Sequence, residues 1–547
     1  MKVNFVLLLI VFMGASLHAQ ELSVSEKASL EQMEKRYGAD IKAAPPDYAW
    51  LLYRTDDRVN HLKADTVLNH FVALQDNDQE SMTYGQWGWH WQNGEKVVDF
   101  NKALFRVDMM FGKLWEQQHK MSIETRANFG VCCKALLEAA IRRWHTEIFD
   151  IGRDFVNYSN IFVLYVETFT LAGARLHDAR LQKTATSQWT RWYNHISYFG
   201  IDEFASPTYN RVIFTHLMNI HDFCNDERVR REVKEVMDHI YLLQSVLTHP
   251  ILKVPVTGIS RDYRNFLVPG DARSGVLTMP VPEGYTPPAK AVELNDHRTF
   301  PFEVIGKAAI NPFIFKSYQL KDAAMGSFTG GNCYEQQIHC FAVVGKSEHE
   351  RAVAFLQGSY VHVNGFIDQI ETSALCVYNR LPNYWHTTQW RGDMSTYRET
   401  FDDFGVGINA DWKEKQNTPD HIVLNAYNYD LHIFPFKVQN EAIVPNQLIL
   451  KHRTNTCSSG RYHPRPRLFD EYVFPEEDDW FGAFITLVKS RVKVADPVIH
   501  YTNENGIRSF KTDNGHQLRL FETEKAETKQ LFNVDPALIP LLKIGKF

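Results

Sequence analysis

The chain is 547 residues long, enough for several domains and for cores that need no disulfide support. Its hydrophobic share of 44% and charged share of 23% exclude a disordered or collagen-like chain. With 59 Lys and Arg against 65 Asp and Glu, a net charge of -6 and no basic block, it lacks the electrostatic footprint of a nucleic-acid binder.

The first segment is expected to be a secretory signal, residues 1–19. Lys2 supplies a positive start, Phe5 to Met13 form an apolar run too short to span a membrane, and Ala19 offers a small residue for cleavage. The chain is therefore expected in the periplasm or outside the cell, with no membrane partner. From Glu21 to about Leu247 the apolar period is helical. Phe100, Leu104, Val107, Phe111 and Leu114 follow one face; Phe129, Cys133, Leu136, Ala140, Trp144 and Ile148 follow a second. Val229, Val233, Val236, Ile240, Leu243 and Leu247 form a third, and Ile161 to Ala174 is apolar nearly all round, as in a helix buried among neighbours. An all-helical array over residues 20–268 is predicted. Residues 269–301 carry Pro280, Pro282, Pro287, Pro288 and Pro301 with Gly270, Gly275 and Gly284, and read as an extended crossing without helix. Beyond it, His421 to Val438, Phe481 to Val494 and the turns at Asn505-Gly506 and Asn514-Gly515 predict antiparallel strands, so residues 302–547 are expected to form a β-sandwich. The fold class is α+β with several domains.

Of the seven cysteines, Cys132 and Cys133 read as buried thiols on a helix, while Cys333 and Cys340 flank a short segment that a disulfide could close. Their spacing with His339 fits no zinc site, and no metal or cofactor is expected.

Four local clusters carry chemistry. Tyr84 to Trp91 reads YGQWGWHW, so Trp87, Trp89, His90 and Trp91 could form a sugar-stacking wall before Asp99, a helix-cap candidate. Asn157-Tyr158-Ser159-Asn160 leads into the most apolar helix; Asn157 and Asn160 are either caps or amides facing a ligand. Asp202 to Tyr209 reads DEFASPTY, a Ser-Pro-Thr turn that launches a helix with Tyr209 in its first turn and His216, His221 and Asp222 further along. Gly258 to Tyr263 reads GISRDY, with Arg261 and Tyr263 just before the proline-rich stretch.

In this order the four clusters resemble a family of exported (α/α)-toroid enzymes that act on uronate-containing glycans. Members read roughly YGNF-W-W…DLN, YTN, EYNSPTY and SRTY. Here Ser159 stands for Thr, Phe204 for Tyr and Ala205 for Asn, and the last removes an amide that could touch substrate. The resemblance implies a helical toroid, a trailing sheet domain and a uronate-bearing oligo- or polysaccharide as partner. Polysaccharide lyases are among its members, and the nearest type is L-rhamnose-α-1,4-D-glucuronate lyase; related toroids include hydrolytic glucuronidases. Association with further copies of the chain stays open.

Elimination requires a hydrogen-bonded uronate carboxylate, a base for the C5 proton and an acid for the leaving oxygen. Asn160, Asn157 and Arg261 have the donor chemistry. Tyr209 is the expected base or acid, with an Arg261 cation favouring its phenolate. His216, His221 and His90 are alternative bases, and His339 or His386 could reach the site from the sheet domain. Hydrolysis would instead need two carboxylates; Glu203 and Asp262 are the best pair, with Asp99 and Asp222 behind them. A glycan-binding protein without catalysis is the third alternative.

Overall fold

The computed structural model describes residues 22–81, 83–92, 95–98, 101–150, 156, 158–203, 205–259, 276–279, 281–308, 313–330, 338–357, 364–379, 405–409, 411–446, 448–452, 480–522 and 528–531. The expected signal and Cys333 lie outside them. The chain divides into two compact units, Met1–Glu147 with Leu171–Ala179, and Ile148–Thr170 with Arg180–Phe547.

In the first unit, α1 (Val24–Tyr37) begins at a capping box in which the Ser23 hydroxyl and the Glu26 carboxylate each accept the other residue's backbone N–H. Helices α2 (Pro46–Tyr53) and α3 (Arg58–Ala73) follow, the latter capped by Asp57. The helical expectation then fails. Gly88–Gln92 and Glu95–Val98 pair as an antiparallel hairpin, so the Trp-rich segment is extended rather than a helix end. Its aromatic residues, Trp89 and Trp91, favour a strand over a helix. The predicted face of Leu104, Val107, Phe111 and Leu114 is buried, but on tight and wide turns (Leu104–Arg106, Asp108–Lys113, Leu114–Lys120) rather than a regular helix. Helix α4 (Ile123–Asp150) buries Phe129, Cys133, Leu136, Ala140 and Trp144 as expected.

Helix α5 (Ser159–Arg175) is buried over Ile161 to Gly173, as its all-round apolarity requires. Helices α6 (Ala179–Phe199), α7 (Pro207–Phe223) and α8 (Glu227–Leu247) follow, and all six predicted apolar positions of α8 are buried. The proline-rich stretch holds a helix after all: α9 (Ala289–Asp296) starts directly behind Pro287 and Pro288, where the fixed φ of proline helps a helix begin.

The strands then build two seven-stranded sheets. One runs Ile449–His452, Gly405–Ile408, Arg351–Gln357, Cys340–Gly345, Ala323–Gly330, Phe313–Gln319, Phe302–Ala308. The other has the path Lys413–Asn417, Ile422–Ala426, Tyr429–Gln439, Trp480–Lys489, Ser373–Asn379, Asn364–Ile370, with Ala442–Pro445 paired to Tyr429–Gln439. Met325, Cys340 and Leu356 of the first share one apolar core with Tyr378, Ile433 and Ile485 of the second, the arrangement of a sandwich. One pair departs from the antiparallel expectation: Gly405–Ile408 lies parallel to Ile449–His452. The Asn505-Gly506 turn has both residues at positive φ, as a two-residue hairpin demands, and belongs to a further four-stranded sheet. Cys132 and Cys133 are buried thiols as expected. Cys340, like Cys376, carries a free thiol in the sandwich core, so no disulfide engages it. No described helix is long and apolar enough to cross a membrane.

Candidate functional site

The second unit gathers described parts of three of the four clusters. At the start of α5 the backbone N–H groups of the first turn have no partner within the helix. Glu203, from the loop between α6 and α7, fills that need. One carboxylate oxygen accepts the Asn160 N–H at 2.7 Å, and both oxygens lie 2.6 Å from Asn160 Nδ2. Negative charge at a helix N-terminus is favourable, and bonds to an ionised acceptor are the stronger ones. Glu203 is 0% exposed and Asn160 1%. The two hydrogens of a planar amide diverge, so one N–H serves both Glu203 oxygens while the other points elsewhere. Asn160 Oδ1, the Ser159 hydroxyl and both ends of the Asn210 amide are buried with no hydrogen-bond partner among the described residues.

Two residues after Glu203 the backbone turns sharply. Ala205 sits at φ 52°, the left-handed region, and belongs to an apolar cluster with Leu243, Leu247, Phe315 and Phe328, against which the half-buried Tyr158 packs. Where related motifs carry an amide, this chain thus places a member of an apolar cluster. Ser206 caps α7, its hydroxyl accepting the Tyr209 N–H at 3.2 Å, and Pro207 opens the helix. This holds Tyr209 in the first turn, as predicted, at 7% exposure.

The fourth cluster begins at Gly258-Ile259, which bridges to the sheet. Ile259 N–H donates to Ile338 O at 2.7 Å and Ile338 N–H to Ile259 O at 2.9 Å. A side chain at Gly258 would stand 2.2 Å from the Phe328 ring, so only glycine permits the approach. Next to Ile338 is His339, whose carbonyl accepts the Phe328 N–H at 2.9 Å. Its ring rests on Phe328 at 4.7 Å and meets Tyr378 edge-on at 5.4 Å. Burial pushes the His339 pKa down to about 3, so the ring is neutral at pH 7, and its Nδ1 has no partner among the described residues. Phe328 thus shares the apolar cluster of Ala205 and its ring meets that of His339.

Other predicted residues are placed differently. Trp87 is core of the first unit: its indole N–H donates to Phe71 O at 3.1 Å and its ring stacks on Phe71 at 5.1 Å, so it offers no face to a sugar. Tyr84 likewise donates to Glu138 at 2.9 Å. His216 is not a free base; its Nδ1 lies 2.8 Å from Glu167 Oε2. His221 and Asp222 pair with one another near the end of α7, where Asp222 is exposed. Asp99, Asn157, Arg261, Asp262, Tyr263 and His386 lie outside the described residues, as do the side chains of Trp89, His90 and Trp91. Three contributors were missed. Phe328 gives no sequence signal. Asn210 stands next to Tyr209, and Glu167 is a lone carboxylate inside VLYVETFTLA; such a charge in a buried helix needs a partner and could have been flagged.

No family model matches the chain, and no curated protein matches it in sequence. Among the solved structures similar to it are two polysaccharide-degrading enzymes. Heparinase III has a TM-score of 0.40 and 10% identity over 95% of this chain and 92% of its own. A chondroitin AC lyase of Streptomyces coelicolor, in complex with chondroitin sulphate, has a TM-score of 0.42 and 9% identity over 94% and 86%. Likeness of this degree carries no argument about chemistry, which the residues themselves must supply.

Proposed function

We propose that the chain is a polysaccharide lyase that cleaves a glycosidic bond by β-elimination at a glucuronate-type uronic acid. The observation that carries this reading is the state of Glu203. It is the best carboxylate available to a hydrolase, and both its oxygens are occupied in holding Asn160 at the start of α5. Hydrolysis needs two carboxylates flanking the bond. What the site offers instead is an amide, a phenol and a neutral imidazole, the groups elimination uses.

The steps follow from that set. The C5 proton of a uronate becomes removable once its carboxylate is hydrogen-bonded and the developing enolate is stabilised. The second N–H of Asn160 is one such donor, and Arg261 supplies the cation. Tyr209 takes the proton and returns one to the leaving oxygen, helped toward phenolate by the Arg261 charge. His339, neutral at pH 7, accepts a hydrogen bond rather than bringing charge to an anionic sugar. The helical part is read as an (α/α) toroid, the preferred glycan as one with a rhamnose–glucuronate linkage, and the place of action as outside the cytoplasm, the last supported by the Phe5–Met13 run.

The test is direct. Mature protein is incubated with glucuronate-bearing oligosaccharides while ultraviolet absorbance of a C4–C5 double bond and release of reducing ends are followed together. Reducing ends without absorbance sink the elimination reading. Tyr209→Phe should abolish turnover and spare binding; a fully active variant would make Tyr209 mere packing.

A further inference from the structure

We propose that Glu167 is a positioning residue that, through His216 and Asn219, sets the register of α5 against α7 and thereby the placement of Asn160 relative to Tyr209. The inference rests on the elimination chemistry assigned above to those two side chains.

Glu167 lies in the most apolar helix of the chain and is fully buried. A buried carboxylate costs several kcal/mol unless its oxygens are engaged, and an apolar residue would pack there at less cost. Two of its contacts come from α7. Oε1 accepts from Asn219 Nδ2 at 2.6 Å and Oε2 lies 2.8 Å from His216 Nδ1. His216 and Asn219 are three residues apart on α7, so one face of that helix grips the carboxylate.

The spacing along both helices gives the grip its consequence. Asn160 is seven residues before Glu167, and Tyr209 seven before His216. Seven residues make nearly two turns, so each pair shares a face of its helix, about 10 Å apart along the axis. At the upper level Glu203, just before α7, holds the first turn of α5 through Asn160. The two helices are therefore pinned at two levels with their N-termini at the same end. A single pin would let α7 rotate or slide and carry Tyr209 with it. The second pin, at Glu167, removes that freedom. A charge kept where hydrophobic packing would stabilise more is explained by specification of position rather than by stability.

The experiment uses the full chain and compares Glu167→Gln, Asn219→Ala and the double variant Glu167→Gln/His216→Gln, each checked for folding by circular dichroism and urea unfolding. Steady-state elimination is read by product absorbance. For folded Glu167→Gln, kcat should fall by about 10²-fold with KM within about twofold, the pattern of misplaced groups rather than lost binding. Asn219→Ala, at a half-buried position that tolerates truncation, should move kcat in the same direction by several-fold. The double variant should recover part of kcat, because two neutral amides can pair. Folded variants with unchanged kcat, or losses that only track the unfolded fraction, overturn the proposal. If the wild-type chain gives reducing ends without absorbance, the elimination reading fails and the same kcat comparison on reducing ends decides the role of Glu167. A wild-type chain with no turnover overturns both.

Discussion

Replacing Glu203 by Gln separates a structural carboxylate from a catalytic one. In the wild type the carboxylate receives the Asn160 backbone N–H at 2.7 Å and the side-chain amide at 2.6 Å. Bonds to a charged acceptor contribute about 1.5–3 kcal/mol, and the helix N-terminus adds up to about 2 kcal/mol in a partly buried setting. Glutamine keeps one acceptor oxygen but turns its NH2 group toward the Asn160 donors, so a buried donor goes unmatched at about 1–3 kcal/mol. Relief from burying a charge offsets part of this, which leaves a loss of about 3 kcal/mol. Urea unfolding of the two proteins at pH 7 measures it. The variant should also lose at least about tenfold in kcat, because Asn160 is no longer held where its second N–H can serve the substrate. The reasoning is refuted if Glu203→Gln matches the wild type in stability yet is inactive. Glu203 would then be a chemical participant, and a hydrolase with a buried acid would return as the better reading.

Three further outcomes follow from the same geometry. Burial lowers the pKa of His239 and His249 to about 4 and of His339 to about 3, so the folded state refuses protons that the unfolded chain accepts near 6.5. Stability is thus complete above about pH 6.5 and falls as pH drops toward 4, by up to about 4 kcal/mol per pH unit from the three together; a urea midpoint that stays flat between pH 7 and pH 5 contradicts this. Gly365→Ala would put a methyl carbon 2.4 Å from His339 Cδ2 in a ring already confined by Phe328 and Tyr378, costing about 1–3 kcal/mol and lowering kcat, and an unperturbed variant would show that the ring has room to move. At Ala205, held at φ 52°, Gly should be within about 1 kcal/mol of wild type because relief of backbone strain offsets the lost methyl contact, whereas the β-branched Val should cost about 3 kcal/mol; equal stabilities in thermal unfolding would argue against the left-handed turn.

Much of this architecture is written in local patterns. The α8 stripe from Val229 to Leu247 and the all-round apolar α5 are periodicities that burial enforces, and the Asn505-Gly506 turn is set by which residues tolerate positive φ. Where local pattern and outcome part, a specific competitor wins. The Trp-rich segment pairs as a hairpin because backbone pairing is decided by its partner strand, which a helical period cannot register. Pro287 and Pro288 break a helix from within but begin α9 from without, a distinction of position rather than composition.

The site divides along the same line. Tyr209 in the first turn of α7 follows from Ser206-Pro207 alone, a rule three residues long. The partner of Asn160 is 43 residues away in sequence, and nothing local says that Glu203 is a cap for another helix rather than an acid for a sugar. That assignment needs the long-range contact: the residue that argued best for hydrolysis is the one that holds the Asn160 amide at the start of α5. Glu167 teaches the complementary lesson. Its isolation among VLYVETFTLA is a local anomaly, but its meaning, a carboxylate gripped by His216 and Asn219, exists only once α5 lies beside α7. A charge out of place in an apolar helix is thus a pointer to a long-range contact, and here it points at the face of α7 that carries His216 and Asn219.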